Sequence, residues 1–163
     1  MHLDDRLDRL LAILGAPIKK FLFEDLCLER QKTTYYIGRC WPVVQRSGAG
    51  GDLHHHAGAV VSGVFYLQTP PGSGGLEFRK SFRSTYDHMR KAGGTPITFG
   101  KADYPAVKNR LILFSSDVLH RALPDADDMT AQRIAISFDL YSMTEIGDSR
   151  GGMPRTQYLK PID

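Results

Sequence analysis

The sequence predicts one mainly β domain that is preceded by an amphipathic helix. From about Lys32 onward, short apolar or alternating runs are separated by clusters of Gly, Pro, Asn and Asp, a pattern that favours short strands joined by turns. Many short strands with turn signals are typical of a sandwich, a barrel or a jelly roll. A chain of 163 residues with 42% hydrophobic content can bury the core that such a domain needs. We therefore expect residues 1–163 to form a single domain.

The helix is predicted from the run MHLDDRLDRLLAILGAP at residues 1–17. Leucines recur there at helical spacing with Asp and Arg between them, at Leu3, Leu7, Leu10, Leu11 and Leu14. The interleaved charges argue against a secretory signal peptide, and no apolar stretch is long enough to span a membrane. The only cysteines, Cys27 and Cys40, form no CxxC pattern, which argues against a disulfide scaffold or a thiolate zinc site. We expect a cytoplasmic protein with reduced thiols.

Five strands are predicted after the helix, at residues 33–41, 60–68, 76–78, 110–115 and 133–141. Pro and Gly in TPPGSGG (69–75) and LPDAD (123–127) provide the turns between them. One long interruption, residues 79–110, holds eight Lys or Arg against two Asp, and a loop of this length in a compact domain is usually functional or disordered. Its charge suggests a substrate or partner that bears carboxylate or phosphate, although a charged loop is often only solvated. The net charge of +3 is too weak to indicate nucleic acid.

The last predicted strand, at 133–141, divides into two faces with a period of two residues. One face is apolar and consists of Ile134, Ile136, Phe138 and Leu140. The opposite face consists of Arg133, Ala135, Ser137, Asp139 and Tyr141. Small neighbours leave room for a ligand on the Arg133 guanidinium, whose geometry matches a carboxylate. The alternative interpretation is that this face of an ordinary amphipathic strand is turned to solvent.

Three consecutive histidines precede the second predicted strand. His54 and His56 are two residues apart, so in an extended chain they project from the same face and can share a metal, while His55 points away. His120 follows a strongly apolar strand and is a candidate third ligand. Three neutral imidazoles would suit Fe, Zn or Cu. The alternative is a solvated histidine run with His120 as a hydrogen-bonded core residue.

Four blocks of the sequence occur in one order. They are HHHAGAVVSGVFYL at 54–67, SGGLEF at 73–78, NRLILFSSDVLHRALP at 109–124 and QRIAISFDL at 132–140. Together they resemble the Fe(II)/2-oxoglutarate-dependent oxygenases, in the branch whose strands read like H-x-H-P-x-x-x-x-SGVYY, G-x-L-x-F, GRLVLFPS-x-x-x-H and RISI-x-F. The similarity covers roughly residues 35–141, since CWPVVQRSGAGGD at 40–52 looks like the family's Trp-containing strand and Gly-rich loop. The resemblance implies a double-stranded β-helix, a cupin-like jelly-roll barrel with iron at its mouth.

By position, the resemblance implies that His54, His56 and His120 bind Fe(II). The common site of the family has Asp or Glu two residues after the first histidine, and His56 stands in that place here. Two other arrangements stay open. Asp52 could supply the carboxylate, or residues 56–58 could match the H-x-G of related halogenases, in which chloride takes the vacant position.

The resemblance further implies that Arg133 anchors the distal carboxylate of 2-oxoglutarate. Many relatives carry a hydroxyl at the position of Ala135, and Ser137 on the same face is the substitute we expect. Tyr66 has the same parity as His56, so we expect it to face the pocket and to hydrogen-bond the cosubstrate, although a Tyr in such a strand is often simply core.

Asp117 is the candidate partner for the second ring nitrogen of His120, with a turn-capping role as the alternative. The implied activity is a dioxygenase that decarboxylates 2-oxoglutarate to succinate and CO2 and oxidises, most simply hydroxylates, an unnamed substrate. Its partners would be dioxygen and a small-molecule or carrier-bound substrate, with an acidic group suited to the basic segment, and neither nucleic acid nor a membrane. Two other classes stay open: a three-histidine enzyme such as a thiol dioxygenase or zinc hydrolase, and a catalytically silent binding barrel.

Overall fold

The computed structural model describes residues 5–29, 33–80, 100–128, 131–144 and 160–162. Helix α1, Asp5–Lys20, continues into a π-helical turn at Phe21–Asp25. Neither of these helices is long and apolar enough to cross a membrane. The strands that follow are β1 Thr33–Gln45, β2 Val61–Gln68, β3 Leu76–Arg79, β4 Lys101–Tyr104, β5 Leu111–Ser115, β6 Leu119–Ala122, β7 Arg133–Thr144 and β8 Lys160–Pro161.

Two antiparallel sheets form the jelly roll. The large sheet has the strand order β5-β2-β7-β1-β8, and the small sheet has the order β4-β3-β6. His54 and His120 form an isolated antiparallel bridge, in which each backbone N–H donates to the other's carbonyl oxygen at 2.9 Å. This bridge ties the loop before β2 to the small sheet. The fold class is thus the expected one, a mainly β double-stranded β-helix with an N-terminal helix.

All five predicted strands are present, and three of them, β1, β3 and β7, extend further toward the C-terminus than predicted. Strands β4, β6 and β8, which are two to four residues long, were not predicted. The predicted interruption at 79–110 contains β4, and its residues 81–99 lie outside the described part of the chain. Helix α1 also runs past the predicted helical segment to Lys20.

Strand β7 lies at the centre of the large sheet, and both of its faces are buried. Phe138 and Leu140 belong to the apolar core cluster, where they pack with Leu14, Ile18 and Leu22 from the helical segment. The opposite face is buried as well, with Arg133 3% exposed and Asp139 fully buried. The interpretation of that face as the solvent side is therefore wrong. The small sheet and its loops lie over it, so the polar residues of β7 point into the space between the sheets.

Gly63 shows how closely β2 and β7 approach each other. It is the cross-strand neighbour of Phe138, and a Cβ atom at Gly63 would lie 2.2 Å from the Cζ atom of the Phe138 ring. No real side chain tolerates such a contact. Glycine at this position lets the Phe138 ring lie across β2 within the core.

Candidate metal centre and carboxylate pocket

The structure brings His54, His56 and His120 together at one end of the space between the sheets. Their candidate ligand nitrogens all lie within 4.8 Å of one another. The Nε2 atoms of His54 and His56 are 3.1 Å apart, and the ring centroids of His54 and His120 are 4.5 Å apart. His55 is exposed and does not belong to this group. The same-face spacing of His54 and His56 and the position of β6 together produce the cluster.

Each of the three rings is oriented by an acceptor at its Nδ1 atom. Carbonyl and carboxylate oxygens only accept hydrogen bonds, so each Nδ1 carries the proton and each Nε2 keeps its lone pair. Partners of this kind fix the tautomer and orientation of metal-binding histidines. The acceptors are the carbonyl oxygen of Asp52 for His54 at 2.8 Å, a carboxylate oxygen of Asp139 for His56 at 2.5 Å and the carbonyl oxygen of Val118 for His120 at 3.0 Å.

The Nε2 atoms of His54 and His56 face each other across 3.1 Å, so a cation placed between them would contact both. Burial, with smaller contributions from the neighbouring His54 and His56, lowers the pKa of His120 to about 4, against the raising effect of the hydrogen bond to Val118. At neutral pH His120 is therefore uncharged and able to donate its Nε2 lone pair to a metal. The donor set fits a divalent transition metal.

The sequence-based reasoning did not single out Asp139 as part of the site. Its side chain is buried on the pocket face of β7, and one carboxylate oxygen accepts hydrogen bonds from His56 and from the hydroxyl of Ser62, the latter at 2.8 Å. Ser62 also bonds to Ser116 at 2.9 Å. Ser62 and Asp139 are cross-strand partners on β2 and β7. The parity of β7 was the available signal, because it put Asp139 on the face of Arg133.

One sequence-based expectation and one open alternative concern carboxylates near the metal centre, and the structure supports neither. Asp117 does not contact His120; it accepts a hydrogen bond from the Ser115 hydroxyl at 2.5 Å, which is the turn role that was the alternative. The Val118 carbonyl, two residues before His120, holds that ring instead. The Asp52 carboxylate is not part of the ligand cluster, and Asp52 contributes only its carbonyl oxygen, which accepts from His54.

A cavity of about 160 Å³ runs from the histidines toward Arg133 between the two sheets. Its walls are mostly apolar, and His54, His56, His120, Arg133, Tyr66 and Ser137 all contribute to the lining. Arg133 is held in the wall by three contacts. Its Nε lies 3.1 Å from the Asp125 carboxylate, and its terminal nitrogens donate to the carbonyl oxygens of Gly74 at 2.8 Å and Leu123 at 3.4 Å.

Tyr66 lies beside Arg133 on the same wall. Its hydroxyl is buried and has no hydrogen-bond partner among the described residues. Burial raises the pKa of Tyr66, while the Arg133 cation lowers it, so the phenol is neutral at pH 7. The three contacts of Arg133 use three of its five N–H groups. A buried hydroxyl and the remaining guanidinium donors are the groups that a carboxylate in this cavity would require.

Known structures of similar fold place this geometry in context. An oxidoreductase of the 2OG-Fe(II) oxygenase family from Burkholderia pseudomallei matches with a TM-score of 0.59 and 16% identity, over 88% of this chain and 60% of that one. The non-heme alpha ketoglutarate dependent epimerase SnoN from nogalamycin biosynthesis matches with a TM-score of 0.58 and 12% identity, over 86% and 61%. HygX from Streptomyces hygroscopicus, solved with iron bound, matches with a TM-score of 0.50 and 10% identity, over 81% and 67%.

At these identities the likeness shows the fold, and the chain spans about 60% of the length of the first two proteins. Among curated proteins, none matches the sequence. A family model described as "Putative 2OG-Fe(II) oxygenase" matches residues 39–139, which is more than half of the chain and includes both ends of the cavity. The protein therefore belongs to this family of 2OG-Fe(II) oxygenases.

Proposed function

We propose that this protein is a dioxygenase that couples the oxidative decarboxylation of 2-oxoglutarate to hydroxylation of a small or carrier-bound substrate. The observation that carries the proposal is one cavity with two ends. Three imidazole Nε2 atoms converge at one end, and Arg133 with the unpartnered Tyr66 hydroxyl lies at the other. When bound, Fe(II) and 2-oxoglutarate would supply the chemistry by which dioxygen, the oxidant, gives one oxygen atom to succinate and the other to the substrate, with release of CO2.

The residues of the chain have separate tasks in this proposal. His54, His56 and His120 hold Fe(II), with their tautomers set by the acceptors at Nδ1. Arg133 and Tyr66 bind the distal carboxylate of 2-oxoglutarate by charge-assisted hydrogen bonds. Ser137 lines the same wall and takes the place of the hydroxyl that relatives carry at the position of Ala135.

The cavity walls also bear on the substrate. Trp41, Val43, Val64 and Phe114 line the cavity, and such apolar walls keep bulk water away from the metal and strengthen the polar contacts made there. The basic segment 79–110 is described only up to Lys80 and from Gly100 onward. An acidic group on the substrate stays a prediction from the charge of that segment.

The test compares two histidine variants under anaerobic conditions. Wild-type protein with Fe(II) should develop a weak visible charge-transfer band when 2-oxoglutarate is added, and in air it should form succinate. His120→Ala should lose stoichiometric iron binding and both signals, because one of three ligands is gone. His55→Ala is the matched control, since His55 is adjacent in sequence but exposed and outside the cluster, and it should behave like the wild type.

Different results would favour the other classes. Iron binding that needs His120 but gives neither the band nor succinate would indicate a three-histidine enzyme that does not use 2-oxoglutarate. Full iron occupancy in His120→Ala would remove this residue from the ligand set and contradict the proposed centre.

A further inference from the structure

The three candidate ligands include no carboxylate, but the carboxylate of Asp139 is hydrogen-bonded to the His56 ring. The common facial triad combines two histidines with one carboxylate, whereas this cluster offers three imidazoles and no carboxylate. Within the described residues, Asp139 is the only acidic side chain hydrogen-bonded to any of these three rings, through the Nδ1 atom of His56. The opposite nitrogen of the same ring, Nε2, lies 3.1 Å from the Nε2 atom of His54.

We infer that Asp139 supplies, through the His56 ring, the negative charge that the proposed metal centre lacks among its direct ligands. This inference rests on the proposed function, because it takes the three histidines as ligands of one metal. Asp139 is a positioning residue in this inference: it polarises His56 and fixes the ring, and it does not touch the metal or the cosubstrate.

The burial of Asp139 supports this role. Its side chain is 1% exposed, and a buried carboxylate is costly unless a compensating charge and hydrogen bonds are provided. The described partners of Asp139 are the hydroxyl of Ser62 and the imidazole of His56. Its second carboxylate oxygen, Oδ2, has no partner among the described residues. A cation bound by Nε2 of His56 would supply the missing positive charge across the ring.

Two substitutions can test the charge of Asp139 separately from its hydrogen bonds. Asp139→Asn keeps the size of the side chain and an oxygen that can accept the hydrogen bonds of His56 and Ser62, and it removes the charge. Ser62→Ala does the reverse: it leaves the carboxylate in place and removes a hydroxyl that donates to Asp139 and lies 3.0 Å from the Nδ1 atom of His56. The two variants therefore distinguish an electrostatic role from a purely structural one.

The experiment titrates the metal-free protein with Co(II) and follows the visible absorption of the bound ion. Loss of a partner to a metal-binding histidine typically lowers metal affinity about 10- to 100-fold, so Asp139→Asn should weaken Co(II) binding by about this factor. Ser62→Ala should stay within about threefold of the wild type. Asp117→Asn is the charge-matched control, because Asp117 contacts Ser115 and none of the three histidines, and it should leave the affinity unchanged.

A second measurement, the affinity of the bound Co(II) for azide, depends on the charge at the metal and not on how loosely the histidines are held. In the Co(II)-loaded proteins, azide should bind more tightly to Asp139→Asn than to the wild type, because the metal then carries more uncompensated positive charge. Equal Co(II) and azide affinities in the wild type and Asp139→Asn would overturn the inference and leave the metal centre standing. A loss in Ser62→Ala as large as in Asp139→Asn would also overturn it. A wild-type protein that binds no Co(II) would overturn the metal centre itself, and the inference with it.

Discussion

At the scale of single residues, the partners of Arg133 determine the orientation of its guanidinium group. Asp125 accepts from the Nε atom of Arg133 and also from the backbone N–H of Gly74 at 2.7 Å. Asp125 and Arg133 are both buried, so each neutralises a charge that the other could not carry alone. The guanidinium is thereby held in one orientation, with donors left for a ligand in the cavity.

This pairing shapes the test of Arg133. Arg133→Gln alone would strand the buried Asp125 carboxylate, and breaking a buried ion pair costs about 3–5 kcal/mol of stability. The double variant Arg133→Gln/Asp125→Asn removes both charges and should fold better than the single variant. Loss of a partner to a buried charge costs about 2–5 kcal/mol, so half-saturation by 2-oxoglutarate should rise at least about tenfold, as measured by succinate formation.

The matched reference for this double variant is Asp125→Asn, which keeps the Arg133 donors. It should bind 2-oxoglutarate more tightly than the double variant, and all three proteins should retain the metal through the histidines. Equal half-saturation in the wild type and the double variant would mean that Arg133 does not bind the cosubstrate.

At the scale of elements, Glu77 joins the three strands of the small sheet. It lies on the central strand β3, is fully buried, and accepts contacts from Arg79 at 2.7 Å, from Lys101 of β4 at 2.9 Å and from Arg121 of β6 at 2.9 Å. Burial alone would raise the pKa of Glu77, but the hydrogen bonds from Lys101, Arg79 and Arg121 outweigh it and lower the pKa to about 2.

The lowered pKa fixes the direction of a pH effect. Because the folded pKa of about 2 lies below the ordinary value of 4.5, the stabilisation is fully present above about pH 4.5 and is lost as the pH falls toward 2. Glu77→Gln should therefore lower the free energy of unfolding at pH 7 and flatten its decline between pH 4.5 and 2, as measured by urea unfolding. Asp103→Asn, which removes a half-exposed partner of Lys101, should change the stability by less than about 1 kcal/mol. If the free energy of unfolding of Glu77→Gln declined between pH 4.5 and 2 as steeply as that of the wild type, this role of Glu77 would be contradicted.

The elements also show which features the sequence could predict. The alternation in β7 was long enough to separate an apolar face from the face of Arg133 and Asp139, and the spacing of His54 and His56 placed two candidate ligands side by side. Strand β6, four residues long, carries no readable period. Asp139 contacts His56 and Asp125 contacts Arg133, and each pair is brought together by the fold from different elements. These contacts depend on strand register and loop conformation, which no local sequence pattern specifies.

At the scale of the whole molecule, the large sheet lies between the packed helical layer and the cavity with the candidate metal centre. One side packs α1 and the π-helical turn onto the apolar face of β7, through residues such as Ile18 and Phe138. The other side carries the cavity, the histidine cluster and Arg133. A change in the helical layer should therefore alter the free energy of unfolding without altering the metal centre, because the rigid sheet lies between them.

Two isoleucines of the same helix test this separation. Ile18 is 1% exposed and Ile13 is 69% exposed, so the same truncation to alanine removes buried contacts at one position and almost none at the other. Ile18→Ala should lower the free energy of unfolding of the metal-free protein by about 2–5 kcal/mol, whereas Ile13→Ala should stay within about 0.5 kcal/mol of the wild type. Urea unfolding measures both, and Co(II) titration under native conditions should give the same affinity for all three proteins. A loss of Co(II) affinity in folded Ile18→Ala would show that the helical layer reaches the metal centre through the sheet, and that the two sides of β7 are not independent.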